Sequence, residues 1–133
     1  MPMFEGLSKY QPQFLAVLRI VTALLYIEHG TMKLFGFPPS EMFANGLGTL
    51  MLVAGILETF GGLLIIIGFH TRTVAFILSG QMAVAYFMAH APQGFFPAIN
   101  MGEAAILFCF IFLYLVSAGP GAWSVDNARR NAV

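Results

Sequence analysis

Residues 13–33 read QFLAVLRIVTALLYIEHGTMK, from Gln13 to Lys33. The stretch is mostly apolar and about as long as a helix needs to cross a bilayer, roughly 20 residues. Its polar members are not scattered. Arg19, Thr22, Tyr26, His29 and Lys33 follow one another at intervals of three, four, three and four. On a helix of 3.6 residues per turn that spacing makes a single stripe. Glu28 lies half a turn from Arg19. A polar stripe on a spanning helix must face protein or a lined cavity, because lipid offers it no partners.

Three more stretches of this kind follow, from about Gly48 to Phe69, Thr73 to Ala91 and Met101 to Ala118. Prolines and glycines separate them: Gly36-Phe37-Pro38-Pro39-Ser40, the tight Gly68–Arg72 connection, Pro92–Pro97 and Gly119-Pro120-Gly121. Between the first two spans, Glu41–Leu47 is too short to cross. It is expected to lie at the interface with Met42 and Phe43 in the headgroups. The expected fold is all-α, a four-helix transmembrane bundle forming one domain over residues 1–133. Arg19 within the first apolar stretch, with no small-residue cleavage pattern behind it, argues against a secretory signal. Lys9, Arg72, Arg129 and Arg130 fall on one side of the four spans and Lys33 near the other. The positive-inside rule then puts both termini in the cytoplasm.

Composition points the same way. Of 133 residues, 59% are hydrophobic and 9% charged, and the mean hydropathy is +0.82. A soluble domain carries about a quarter charged residues, so a soluble enzyme is excluded. A disordered chain is excluded by the same hydrophobicity. Six Lys/Arg balance six Asp/Glu, which leaves no basic excess for nucleic acid. Membrane lipid is the expected surrounding. The lone Cys109 rules out an internal disulfide and a thiolate metal cluster.

The remaining intramembrane polar groups are few. Glu58 sits mid-span among Ala54, Gly55, Gly61 and Gly62, on a face built for close helix approach. Arg19, about 10 Å from the inner surface against about 16 Å for Glu58, is its expected ion-pair partner. Ser79, Tyr86 and His90 share a face of the third span. Asn100 is the expected N-cap of the fourth, with Glu103 in its first turn. His29, Lys33, His90 and Glu103 all fall about one turn from the outer surface. Convergent polar groups at the mouth of a bundle are the usual form of a small-molecule site. His29, Lys33 and Glu103 are the candidate catalytic residues, with Lys33 and Glu103 as a pair. Arg19, Tyr26, Glu58 and His90 are the candidate binding residues. The alternative is a seam of interhelical hydrogen bonds. Two histidines and a carboxylate resemble a divalent-metal triad, and two histidines a haem site, but Lys33 would oppose a cation there. No metal is expected.

An ordered set of segments resembles the DoxX family of small four-helix membrane proteins. It comprises Leu18-Arg19-Ile20, His29-Gly30-Thr31-Met32-Lys33-Leu34 and Glu58-Thr59-Phe60-Gly61-Gly62. Gly68, Arg72, Gly102-Glu103 and Gly119-Pro120-Gly121-Ala122-Trp123-Ser124-Val125-Asp126 complete it. The matching positions include Arg19, His29, Lys33, Glu58 and Glu103, while Glu28 and His90 lie outside the motif. The resemblance implies a bacterial inner-membrane protein connected with electron transfer, because the family is named for a subunit type linked to a quinol oxidase and to thiosulfate:quinone oxidoreductase. It assigns no catalytic residues. Three roles stand open. One is a redox-complex subunit binding quinone or a small oxidised substrate, its electrons supplied by a protein partner. Another is a non-enzymatic scaffold or assembly factor, docking through Trp123 and the Gly-Pro-Gly turn. The last is a small-solute transporter, which four spans allow only as a homo-oligomer.

Overall fold

The computed structural model describes residues 3–131. The described chain is helical throughout its long elements. Two 3-10 turns' worth of chain, Glu5–Tyr10, lead into α1 (Gln11–Phe35), which has Pro12 in its first turn where no backbone donor is needed. Then come α2 (Thr49–Ile67) and α3 (Thr71–Ala85), which runs on through a π-helical turn (Tyr86–His90) and a 3-10 turn (Ala91–Gln93). The four-residue α4 (Pro97–Asn100) precedes α5 (Glu103–Ala118), and α6 (Val125–Asn131) closes the described chain. Three stretches, Glu5–Phe35, Thr49–Ile67 and Thr71–Gln93, are long and apolar enough to cross a membrane; α5 is apolar but has only 16 residues.

The helices pack as two intimate pairs, α1 with α2 and α3 with α5, and α2 joins the pairs through α3. Glycines set the spacing of the first pair. A Cβ on Gly30 would fall 2.5 Å from the Thr59 hydroxyl, and one on Gly62 would fall 3.1 Å from Ile27. Close backbone approach of this kind replaces hydrophobic burial as the cohesive force between helices in lipid. Between the pairs lies a core of Tyr26, Ile65, Leu78, Phe108, Phe112 and Leu115. Leu25, Ile56, Phe76 and Phe110 point outward and exposed, which is what a lipid-facing surface requires.

One end of the bundle is tied by polar groups. Arg19, fully buried, donates to the carbonyls of Pro120, Ala122 (3.1 Å), Trp123 (2.8 Å) and Ile66 (3.4 Å). The chain after α5 is thereby folded back across α1, and the Ala122 N–H reaches the Pro12 carbonyl at 2.9 Å. The expected Arg19–Glu58 ion pair does not form. The arginine side chain turns toward the near surface, where carbonyls freed by the Gly-Pro-Gly turn await it. Arg72 closes the C-terminal end of α5, donating to Val116 O (2.9 Å) and Ser117 O (2.5 Å). Asp126 caps α3, its carboxylate accepting from the N–H groups of His70 (2.8 Å) and Thr71 (2.9 Å). The connection into α3 has to be tight. Gly68 (φ 70°) and His70 (φ 49°) both adopt the left-handed conformation there.

Partial burial pushes the Asp126 carboxyl upward, but the hydrogen bonds from Thr71 and His70 and the nearby His70 charge outweigh it and hold the group below the ordinary carboxylate value. A carboxyl depressed by folding contributes stability that is present above its unfolded pKa, about 4, and is lost as pH falls through the lower folded value. Thermal unfolding in detergent should therefore separate wild type from Asp126→Asn at neutral pH, and the two curves should converge in acid. A gap that stays constant with pH would show that the carboxylate charge contributes nothing to the cap.

Candidate functional site

At the far end of α1 the stripe turns from backbone acceptors to side chains. Lys33 Nζ lies 2.7 Å and 3.3 Å from the two Glu58 oxygens and 3.2 Å from the His29 carbonyl. The Lys33 side chain is 12% exposed and that of Glu58 2%, so the ion pair is sheltered by protein. Gly55 makes room for it, since a Cβ there would meet Lys33 Cβ at 3.0 Å. Phe43 closes the site from the connecting segment, its ring centroid 5.5 Å from the ammonium. Ser40 Oγ accepts from Met42 N (3.3 Å) and starts the short turn that brings Phe43 there. Phe43, expected among the headgroups, packs over the Lys33 ammonium.

One turn along α1, the His29 residue is exposed, with its ring set edge-on to Phe108 at 6.0 Å. A further turn along, Tyr26 is fully buried and donates to Gln81 Oε1 of α3 at 2.5 Å. Its ring is edge-on to Phe112 (4.9 Å) and Phe108 (5.5 Å). The stripe therefore meets each of the other long helices: α2 through Lys33, α3 through Tyr26, and α5 through both Tyr26 and His29. Beside the ion pair, Thr59 is buried and its hydroxyl has no hydrogen-bond partner among the described residues.

The other expected members stand apart. Glu103 is the first residue of α5, is exposed, and makes no ion pair with Lys33. Lys33 takes Glu58 instead, because α1 and α2 are in close contact while α1 and α5 are not. His90 Nδ1 lies 3.0 Å from the Asn100 carbonyl, and its ring stacks on Tyr86 at 6.3 Å. Asn100 is not the N-cap of α5. It ends α4, donates to the Tyr86 hydroxyl (3.1 Å) and Gly94 O (2.9 Å), and accepts from Gly102 N (2.8 Å). The π-helical turn, which periodicity did not signal, carries both Tyr86 and His90 in this second cluster. No group of three metal-ligating side chains occurs among the described residues.

Breaking a sheltered ion pair leaves an uncompensated charge, which costs about 3–5 kcal/mol. Lys33→Met and Glu58→Gln should each destabilise the protein on that scale, and the double variant by clearly less than the sum. Arg19 and Glu58 do not touch, so Arg19→Met combined with Glu58→Gln should be additive. Denaturation in detergent reads both cycles; coupling of Glu58 to Arg19 rather than to Lys33 would overturn the pairing.

The DoxX family model matches residues 14–91, which hold most of α1, all of α2, the Lys33–Glu58 pair and the turn at His90. Among similar chains, an "uncharacterized protein" of Haemophilus influenzae is 50% identical over 128 residues, covering 92% of this chain and 96% of the relative. Inner membrane protein YqjF of Escherichia coli is 30% identical over 132 residues (91% and 95%), and inner membrane protein YphA is 28% identical over 132 residues (88% and 91%). No solved structure matches. The apolar helices and these inner-membrane relatives together make this a multi-pass inner-membrane protein. With more than half of its length matched by the family model, and its nearly full-length likeness to these relatives, the chain belongs to the DoxX family.

Proposed function

We propose that this single-domain chain is a subunit of a membrane redox complex and that it holds a quinone headgroup at the Lys33–Glu58–His29 cluster. The carrying observation is a sheltered ammonium, held by Glu58 at 2.7 Å, one turn from an exposed histidine on the same helix face. A quinone carbonyl accepts from an ammonium, and an imidazole exchanges the proton that reduction requires. Reduction to the quinol takes two electrons and two protons. In this reading the electrons come from a protein partner in the complex. Apolar walls from Phe108 and Phe43 suit the ring and its tail. Glu103 and His90, in this reading, join only when the partner closes the outer end.

A second reading, a scaffold without chemistry, has its own support. Arg19, Arg72 and Asp126 are all spent on backbone groups that hold the chain together. The two readings part on quinone content. Protein purified in gentle detergent should carry extractable quinone together with a redox partner, and His29→Gln should assemble normally yet lose quinone reduction. A partner recovered with no quinone sinks the redox reading and leaves the scaffold.

The proposed architecture is four spans with both termini cytoplasmic. At 1.5 Å per residue α5 covers about 24 Å, short of a core of about 30 Å, so it would span by local thinning and with help from α4 and the aromatic Phe95 and Phe96. Lys9, Arg72, Arg129 and Arg130 set the orientation. A cysteine placed at Gly94 in a Cys109→Ser background should react with an impermeant reagent on intact spheroplasts. Reaction only after lysis would reverse the topology.

A further inference from the structure

The polar stripe and the ties made by Arg19, Arg72 and Asp126 leave the free side of Arg72 and the head of Arg130 unused. Arg72 uses only Nη1 in closing α5; Nε and Nη2 have no hydrogen bond among the described residues. Arg130 makes one exposed bond, to Asn127 Oδ1 at 3.1 Å. Both arginines line two adjoining hollows. The smaller, about 270 Å³, lies against the α3 N-terminus, where Asp126 is already bound to His70 and Thr71. The larger, about 680 Å³, is a groove running down between α1 and α5. It exists because these two helices barely touch, each being committed to its own partner. Phe14, Leu15 and Leu18 form one wall, and Tyr114 and Ala118 the other. Among the described residues no acidic side chain lines it.

We propose that this groove binds an anionic phospholipid of the leaflet on the side of the described termini, with its phosphate between Arg72 and Arg130 and an acyl chain between α1 and α5. The chemistry is complementary at both ends. Two guanidinium groups offer several N–H donors to phosphate oxygens, and such groups fit phosphate better than a point charge does. Gln11 and Asn127 share the polar end with the arginines, and Phe14, Leu15, Leu18 and Ala118 give the remaining length apolar walls, with Tyr114 on the α5 side. A water-soluble phosphate would satisfy the arginines and leave the apolar length empty, so the occupant is a lipid. The inference rests on α5 lying in the membrane beside α1, and not on the quinone reading. Cysteine labelling at Gly94 checks that arrangement by itself.

The test uses the purified full chain with phosphatidylglycerol and phosphatidylcholine of identical acyl composition, read by native mass spectrometry. Phosphatidylglycerol should be retained preferentially. Arg130→Gln should reduce that retention about fivefold, the effect of one arginine near a membrane surface, while circular dichroism shows the helices intact. Ala118→Trp, which fills the groove and leaves both arginines in place, should reduce retention of either lipid. Inorganic phosphate at millimolar concentration should not displace the lipid. Equal retention of the two lipids, unchanged retention in Arg130→Gln or Ala118→Trp, or displacement by inorganic phosphate would each overturn the proposal. Arg72→Gln is less informative, since it also releases the end of α5.

Discussion

A helix that carries a polar stripe through hydrocarbon must be surrounded, and α1 is. Lipid supplies no hydrogen-bond partners, so each group on the stripe has to find one within the protein. Arg19 takes the carbonyls beyond α5, Tyr26 takes Gln81 of α3, and Lys33 takes Glu58 of α2. These three demands fix the rotation of α1 and bring Glu58 of α2 and Gln81 of α3 to its polar face. Glycines then decide how near the helices come. Gly30 lies directly against Thr59, and Gly55 leaves space for Lys33, so the ion pair and the backbone contact are one arrangement.

The two ends of the bundle spend their charge differently. Near the described termini, Arg19, Arg72 and Asp126 all bind backbone groups, ending helices and fastening the chain after α5. Such bonds look inward. At the other end, charge meets charge at Lys33 and Glu58, while His29 and Glu103 stay exposed. The proposed proton chemistry is assigned to this second end. The family segments divide the same way. Leu18-Arg19-Ile20, Gly68, Arg72 and Gly119–Asp126 build the first end, and His29–Leu34 with Glu58–Gly62 build the ion-pair cluster.

The helices and the stripe were legible because periodicity is local. The structure's α1, Gln11–Phe35, contains the expected Gln13–Lys33, and α2, Thr49–Ile67, lies within the expected Gly48–Phe69. Partners were less legible, because they depend on which helices touch. Counting depth along each helix matched Arg19 with Glu58, but depth says nothing about acceptors that are main-chain carbonyls. The Gly-Pro-Gly turn was read as a stop, and its freed carbonyls carry no mark in the side-chain sequence. Asp126 was recognised as part of a family segment, yet its role as a cap for α3, 55 residues earlier, needed the folded chain. The π-helical turn at Tyr86–His90, whose His90 meets Asn100, likewise has no proline or glycine inside it to mark it.

The hydrogen bonds of Arg19 also impose an order of events on the growing chain. Its acceptors at Pro120, Ala122 and Trp123 lie 101 to 104 residues downstream. The first helix therefore enters the bilayer before the groups that neutralise its arginine have been synthesised. Until they emerge, the guanidinium can be satisfied only by reaching up to the interface. Full closure of the bundle around Arg19 thus waits for the segment after α5. A ribosome that stalls before residue 120 releases helices that can insert and pair through Lys33 and Glu58 but lack the carbonyls that hold Arg19.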